Sequence, residues 1–434
     1  MRLLLSCSLL SLSLLLPACD QTEPYPGNVC TREDRRTIPI WQKPAMDLLI
    51  VLDRSPSMAD QAAKLAATGA SLAAVIETIE GGVPDLHLAV VTSDLGATGV
   101  AGCGAGDGGV FQVGARCGVD GAFLEARGLV EGGVGGNFTG ELDAALTCLL
   151  DAPISTCPVS QPLGAAVRAL DGSNASSAGF RRDYAALIVV VITDGDDCTL
   201  SNPSALAGVV APNDLEGAIE FACFARGTRC MPADPSIEGA HTGCTSRGDM
   251  GLVDVTALAA QLRGFVSHPS LLFVTTVAGD GDPVMVSAGS RLAGTCATGP
   301  AATAAPRLAA IDLPERAFTT DVCGDWIDAF EPVAELVRVP LSLPCGDPSW
   351  DLEPATPGAQ LNCVNTLVDS DGQELAPLPW CDAPGVDRSQ PCIEPIAEDH
   401  PWCPDGLGPL TFSLGDERLP DGVYADLRCE VACE

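Results

Sequence analysis

Oxygen-bearing side chains follow two apolar segments of the chain. Asp53, Ser55 and Ser57 occupy alternate positions after one segment, and Asp194 ends the other. Alternate positions in a tight loop place three oxygens on one side, and hard oxygen donors suit Mg²⁺ or Mn²⁺. If both segments are parallel strands, their carboxyl ends meet at the edge where open α/β sheets bind ligands. The sequence therefore predicts a divalent-cation site, with Ca²⁺ as the alternative ion.

Apolar runs and amphipathic segments supply the elements that would position these oxygens. Continuous β-branched and aliphatic runs suit strands buried on both faces, and helical spacing of apolar residues marks the segments between them. The runs are 47–53, 86–94, 186–194 and 271–279, and the helical segments are 61–80, 162–170, 254–265 and 326–337. Strands that alternate with helices predict an α/β fold with a doubly wound, mostly parallel sheet in a three-layer, Rossmann-like arrangement.

Three insertions interrupt the alternation, each after the carboxyl end of a predicted strand. They cover 95–140, 198–250 and 280–323, and every one contains cysteines. We expect all three at the sheet edge that carries the oxygens, with disulfides that tie down the long loops.

The composition changes near residue 340. Residues 341–434 are rich in Pro, Asp and Gly, and short runs at 361–368 and 423–429 suggest strands. Seven cysteines fall in this part: Cys345, Cys363, Cys381, Cys392, Cys403, Cys429 and Cys433. The pattern predicts a small Cys-rich β module after a main domain over 46–340.

The charge and the cysteine content limit which compartments and which partners are possible for the protein. The formal net charge is -34, which repels phosphate backbones and argues against nucleic-acid binding. Of 20 cysteines, Cys7 and Cys19 belong to the leader region, which leaves an even number from Cys30 onward. The chain has no CxxC pair and no ligand-spaced histidine cluster, so disulfides in an oxidising compartment are favoured over zinc.

The first residues have the pattern of an export signal. A positive start and a short Leu/Ser run end in Leu16-Pro17-Ala18-Cys19. This predicts a signal peptide over 1–18, a lipid on Cys19 and a lipidated tether over 19–45. The protein would be anchored to the bacterial envelope, at the outer membrane, the cell surface or the periplasmic face. An ordinary secretory cut, with Cys19 in a disulfide, is the alternative.

Asp-x-Ser-x-Ser-Met after one apolar strand, and Ile-Thr-Asp-Gly at the end of another, resemble the von Willebrand factor A (VWA) domain. Its metal-ion-dependent adhesion site uses such residues. The resemblance implies that Ser55 and Ser57 bind a metal through their hydroxyls, and that Asp53 and Asp194 bind it directly or through water. One coordination position would accept an Asp or Glu of a protein ligand.

Further segments are similar to VWA lipoproteins of myxobacteria and related high-GC bacteria. They are Val90–Gly96, Gly179–Arg182, Asp196–Cys198, Cys223–Gly227, and the cysteines Cys148 and Cys157 before a helix. One position departs from the family, which usually supplies a Thr from the loop before that helix. Gln161 stands at this place, and Thr156 and Ser160 are the other candidates for the loop oxygen.

These observations predict a binding protein of the cell envelope that acts in adhesion or envelope assembly. Catalysis is not expected, because the sequence has no Gly-x-Ser-x-Gly elbow, no His-Glu-x-x-His motif and no phosphate-binding loop. The alternative is a structural envelope lipoprotein in which the metal site is degenerate and metal-free.

Overall fold

A computed structural model provides the architecture of the chain. The residues it describes are 31–40, 45–77, 83–112, 114–129, 133–267, 269–297, 302–311, 313, 317–324, 348–350, 361–387, 389–395, 410–413 and 423–432. The signal peptide, Cys19 and the helix predicted over 326–337 lie outside these residues.

The helices and strands follow in chain order. The α-helices are α1 (Ala62–Glu77), α2 (Leu142–Leu150), α3 (Pro162–Leu170), α4 (Leu215–Gly227), α5 (Val255–Arg263) and α6 (Pro306–Ala309). The strands are β1 (Thr31–Pro39), β2 (Ala45–Leu52), β3 (Asp85–Thr92), β4 (Leu124–Gly128), β5 (Val134–Gly136), β6 (Ala186–Ile192), β7 (Thr228–Met231), β8 (Gly239–Ser246), β9 (Leu272–Ala278), β10 (Val284–Ser287), β11 (Arg291–Leu292), β12 (Ala317–Asp321), β13 (Cys363–Val368), β14 (Glu374–Pro377), β15 (Cys392–Pro395), β16 (Leu410–Ser413) and β17 (Tyr424–Ala432). Short 3-10 helices include Pro56–Asp60, directly after β2.

A mixed, mostly parallel sheet forms the centre of the molecule. Its strand order is β12-β9-β6-β2-β3-β4-β5. The first five of these strands are parallel, and β4 and β5 add to one edge in antiparallel orientation. The chain passes from β2 to β3 on one side and returns to β6 on the other, so strand order reverses between β2 and β6. The predicted α/β class is confirmed, and the arrangement is consistent with a VWA-like fold.

Alternate side chains of β2 enter two different cores. Leu48, Ile50 and Leu52 pack with α1 and α2 on one face of the sheet. Leu49 and Val51 pack with α3 and α5 on the other face. All of β2, β6 and β9 is buried, as the continuous apolar runs predict for strands covered on both faces.

The insertions are connected to the main sheet and stapled by disulfides. The first contributes β4 and β5, and the third contributes β12. Strands of the second and third insertions form a separate sheet in the order β11-β10-β8-β7. The described residues contain the disulfides Cys103–Cys157, Cys117–Cys148, Cys198–Cys223, Cys230–Cys244, Cys296–Cys323, Cys363–Cys429 and Cys381–Cys392. Disulfides at this density indicate a protein that matures in an oxidising compartment.

The structure corrects the boundary of the predicted tether. Residues 31–39, placed in the tether over 19–45, form β1 and pair along their length with β17 in the sheet β1-β17-β13-β14. Arg35 Nε also donates to the buried Asp426 carboxylate at 2.8 Å. The prediction relied on the lack of an apolar period, but an edge strand is held mainly by its backbone hydrogen bonds.

A buried ion pair joins the strands at the sheet edge opposite to the predicted metal site. The Asp47 carboxylate, on β2, accepts from Arg182 Nε at 2.8 Å and from Arg182 N at 2.6 Å. Arg182 also donates to the backbone carbonyls of Met46 and Asp85. Burial raises the pKa of Asp47 to about 6, although the Arg182 charge opposes the shift. The pair therefore closes the amino ends of β2, β3 and β6.

Removing the positive charge of Arg182 should destabilise the fold. We expect Arg182→Met to lower the free energy of unfolding by about 3–5 kcal/mol, because it leaves a fully buried carboxylate without its partner. Arg181→Met is the matched control: Arg181 is more exposed, and its pair with Asp183 should contribute at most about 1 kcal/mol. Urea unfolding followed by circular dichroism measures both, and equal losses would contradict the assignment.

Candidate metal centre

The loop after β2 presents its oxygens through local hydrogen bonds. Asp53 Oδ1 accepts from Ser55 N at 2.8 Å, which closes a tight turn directly after the strand. Pro56 then begins the 3-10 helix. The turn brings the hydroxyls of Ser55 and Ser57 to 3.1 Å from each other. The alternate spacing therefore places these oxygens together, as the sequence predicts.

The end of β6 lies against this loop. Asp53 N donates to the Ile192 carbonyl at 2.8 Å, so the β2–β6 pairing continues to the last residue of the strand. Thr193 Oγ1 donates to Asp53 Oδ2 at 2.5 Å and fixes that carboxylate. Asp194, the next residue, lines one small cavity together with Asp53 and Ser55. The two strand ends thus bring the predicted carboxylates and hydroxyls to one place, at the point where strand order reverses.

Asp194 carries a buried charge that is poorly compensated. It is 2% exposed, and its Oδ2 has no hydrogen-bond partner among the described residues. Burial and, next, the nearby charge of Asp53 together raise the pKa of Asp194 to about 8, although a hydrogen bond from Ser57 opposes the shift. An unpaired buried oxygen in an acidic cavity is stabilised by a cation, which also restores the ionised form of the carboxyl.

Of the three candidates for the loop oxygen, only Ser160 reaches the cavity. Its hydroxyl donates to Ser93 Oγ at 3.1 Å, and Ser93 Oγ donates to Asp53 Oδ1 at 3.3 Å. The Gln161 amide is engaged elsewhere, since it accepts from Leu200 N and donates to the Gly96 carbonyl. Thr156 is exposed and donates to the Gly102 carbonyl.

Two carboxylates that the sequence analysis did not select line the same cavity: Glu216 and Glu220, on α4 of the second insertion. Glu216 Oε1 accepts from Ser57 N at 3.0 Å. Burial and, next, the charge of Glu216 together raise the pKa of Glu220 to about 8. Their i, i+4 spacing on a helix that begins at Leu215 was the available signal.

The cavity carries several acids and no matching base. Among the described residues, no ion pair involves Asp53, Asp194, Glu216 or Glu220. Arg54 follows Asp53 in the sequence, but its Nε donates to the Pro153 carbonyl. The excess of negative charge suits a divalent cation.

Asp196 also lines the cavity, and Asp197 follows it in the chain, but both carboxylates accept hydrogen bonds from the protein. Asp196 accepts from the backbone nitrogens of Arg307 and Leu308, and Asp197 accepts from Leu163 N and Thr199 N. They therefore hold α6 and α3 in place. Within the described part of the chain, no group of three or more His, Cys, Asp or Glu is arranged to hold a metal ion. Glu216 and Glu220 line the cavity but do not form such a group with Asp53 and Asp194. The predicted ligands also include two serine hydroxyls, those of Ser55 and Ser57.

Comparisons with known proteins identify structures with related architecture at low similarity. No protein-family model and no curated protein matches the chain. Matching solved structures include the pilus adhesin SpaC of Lactobacillus rhamnosus GG, at 11% identity and a TM-score of 0.34 over 93% of this chain. The chain spans only 41% of the length of that SpaC structure.

Two further structures are of similar distance. The vWF domain of the type V pili tip protein Mfa5 from Porphyromonas gingivalis matches at 12% identity and a TM-score of 0.32, over 68% of this chain and 96% of that one. Proximal thread matrix protein 1 from the mussel byssus matches at 9% identity and a TM-score of 0.32, over 70% and 50% of the two chains. Likenesses this distant assign neither a family nor a function.

Neutralising Asp194 should stabilise the metal-free protein. Its folded-state pKa of about 8 lies above the ordinary 3.8, so folding takes up a proton and stability falls as pH rises between these values. The Asn side chain of Asp194→Asn does not titrate, so the variant does not lose stability in this way as pH rises. We expect its melting temperature in excess chelator to exceed that of wild type by roughly 2–6 °C, with a larger difference at pH 8.5 than at pH 6.

The matched control for this comparison is Asp280→Asn. Asp280 is an exposed carboxylate that follows β9 at the same sheet edge. Its change should alter the free energy of unfolding by no more than about 0.5 kcal/mol and should leave the melting temperature close to that of wild type. Calorimetric scans of the three proteins decide the matter. If the melting temperature of Asp194→Asn is equal to or below that of wild type at both pH values, the ionised Asp194 carboxylate does not destabilise the fold.

Proposed function

We propose that this chain is an exported binding protein of the bacterial cell envelope, acting in adhesion or envelope assembly. A divalent cation, Mg²⁺ or Mn²⁺ with Ca²⁺ as the alternative, binds at the ends of β2 and β6. Ser55 and Ser57 supply hydroxyl ligands, Asp53 and Asp194 supply carboxylates directly or through water, and Ser160 supplies the loop oxygen. The bound cation is an electrostatic receptor for an Asp or Glu of a protein partner.

One observation carries this proposal: the unpartnered Oδ2 of buried Asp194, which lines a cavity with Asp53 and Ser55 and has no basic neighbour in the described residues. A buried carboxylate without a counter-charge costs free energy. A cation removes that cost, and hydroxyl and carboxylate oxygens are the ligands that Mg²⁺ and Mn²⁺ accept.

The remaining features suit binding better than catalysis. The ligand set contains no general base, such as a histidine, beside a nucleophile. The net charge of -34 disfavours nucleic acid. Within the described residues, no helix is long and apolar enough to cross a membrane. From the Leu16-Pro17-Ala18-Cys19 pattern we propose attachment to the membrane through a lipid on Cys19, and we propose a binding role without enzymatic activity.

Metal binding is tested on the protein without a partner. We expect Mg²⁺ and Mn²⁺ to give saturable heat in titration calorimetry with wild type, and Asp53→Ala to abolish it, because Asp53 lies at the centre of the oxygen network. Asp280→Asn should bind as wild type does. Titrations with Ca²⁺ rank the alternative ion. If wild type gives no heat with any of the three ions, the chain is a structural envelope protein with a degenerate site.

The anchor is tested separately. In its native bacterial host, wild type should partition into the detergent phase of a Triton X-114 separation, because acyl chains add about 0.8 kcal/mol of membrane affinity per buried CH₂. Cys19→Ser should move the protein to the aqueous phase without changing its melting temperature. Equal partitioning of the two proteins would exclude lipidation of Cys19 and favour the secretory alternative.

A further inference from the structure

The acidic face of α4 covers the metal centre, and this placement bears on how a partner reaches the cation. On the basis of the proposed metal site, we infer that α4 supplies an internal ligand to the bound cation. The Glu216 carboxylate occupies the position that a partner's acid would take, and Glu220 lies beside it. The chain thus closes its own site, and an acidic partner must displace the first turn of α4.

The position of Glu216 follows from its contact with the Ser-x-Ser loop. Its Oε1 accepts from Ser57 N at 3.0 Å, and Ser57 Oγ lies 3.1 Å from Ser55 Oγ. A carboxylate bound to this backbone amide is therefore held next to both hydroxyl ligands. Glu216 belongs to an insertion far along the chain, so the contact is a long-range one that the fold must bring about.

Glu220 lies against the other strand end. A Cβ built on Gly195, the residue after Asp194, would be 3.7 Å from Glu220 Oε1. Thr303 Oγ1 donates a long hydrogen bond to Glu220 Oε1, at 3.5 Å. One helix face thus directs two carboxylates to the Ser-x-Ser loop and to the end of β6, one to each side of the centre.

The cavity between these groups is small. Its volume is about 30 Å³, which is room for about two waters. An ion with one or two waters fills this space. A second chain cannot place a carboxylate there while α4 stays in position, whereas the buried and unpartnered Asp194 Oδ2 still requires a cation.

The attachment of α4 differs between its two ends. Ile219, Ala222 and Cys223 are buried against the neighbouring loops, and Cys223 is bonded to Cys198. The first turn is half exposed, and its capping residue Asp214 accepts from Gly217 N and pairs with Arg291 at the surface. Surface pairs of this kind contribute little to stability. Leu215 of the first turn packs against the same cluster but is only partly buried. The deeper attachment lies toward Cys223, so the acidic first turn is the part that a partner can displace.

The test uses Mn²⁺ as the probe and the full chain as the protein. Titration calorimetry gives the affinity, and water-proton relaxation gives the number of waters bound to Mn²⁺. We expect Glu216→Gln to weaken Mn²⁺ binding by about tenfold or more and to add about one bound water, because a charged ligand is lost. Acetate should displace that water in the variant and not in wild type. Glu220→Gln should also weaken binding.

Glu238→Gln is the matched control, because Glu238 is an exposed glutamate of the same insertion outside the cavity. It should match wild type in affinity and bound water. If wild type binds Mn²⁺, Asp53→Ala does not, and Glu216→Gln and Glu220→Gln both behave like Glu238→Gln, the internal ligand is excluded and the metal site stands. If wild type does not bind Mn²⁺ at all, both proposals fall. Circular dichroism of each variant confirms that the comparison is between folded proteins.

Discussion

Five carboxylates line one small cavity at the ends of β2 and β6, and no Arg, Lys or His of the described residues lines it with them. Like charges in a medium of low dielectric repel strongly, and burial without a partner adds to the cost. Asp194 and Glu220 show both effects, since each has its pKa raised to about 8 by burial first and by neighbouring acids next. Such an arrangement is stable when it binds a cation or holds protons. This electrostatic constraint connects the sheet, the loops and the insertions.

The fold creates the constraint by its topology. Parallel strands end at a common edge, and the reversal of strand order between β2 and β6 leaves a crevice between their loops. Asp53 forms the centre of that crevice because it accepts hydrogen bonds from Ser55 N, Ser93 Oγ and Thr193 Oγ1. Three different segments therefore fix one carboxylate. A cation would then meet ligands that are already oriented, which reduces the ordering cost of binding it.

Much of the main sheet was predictable from sequence, because buried parallel strands appear as continuous apolar runs and their ends must converge. The helix over 162–170 was predicted to the residue. Other features depend on contacts distant in sequence. β1 is polar and is defined by its pairing with β17, and the choice of Ser160 over Gln161 depends on which side chain the surrounding backbone amides and carbonyls engage. Neither contact can be deduced from the composition or from the spacing of the residues.

The role of α4 illustrates the same limit in more detail. Glu216, Glu220 and Cys223 recur at i, i+4 and i+7, so they lie on one helix face. The sequence does not determine the direction in which this face points, because the many cysteines allow many disulfide pairings. Once Cys223 is joined to Cys198, which closely follows Asp194, the glutamates on the same face must point to the end of β6. The Cys198–Cys223 disulfide thereby also holds two acidic side chains beside the proposed cation site.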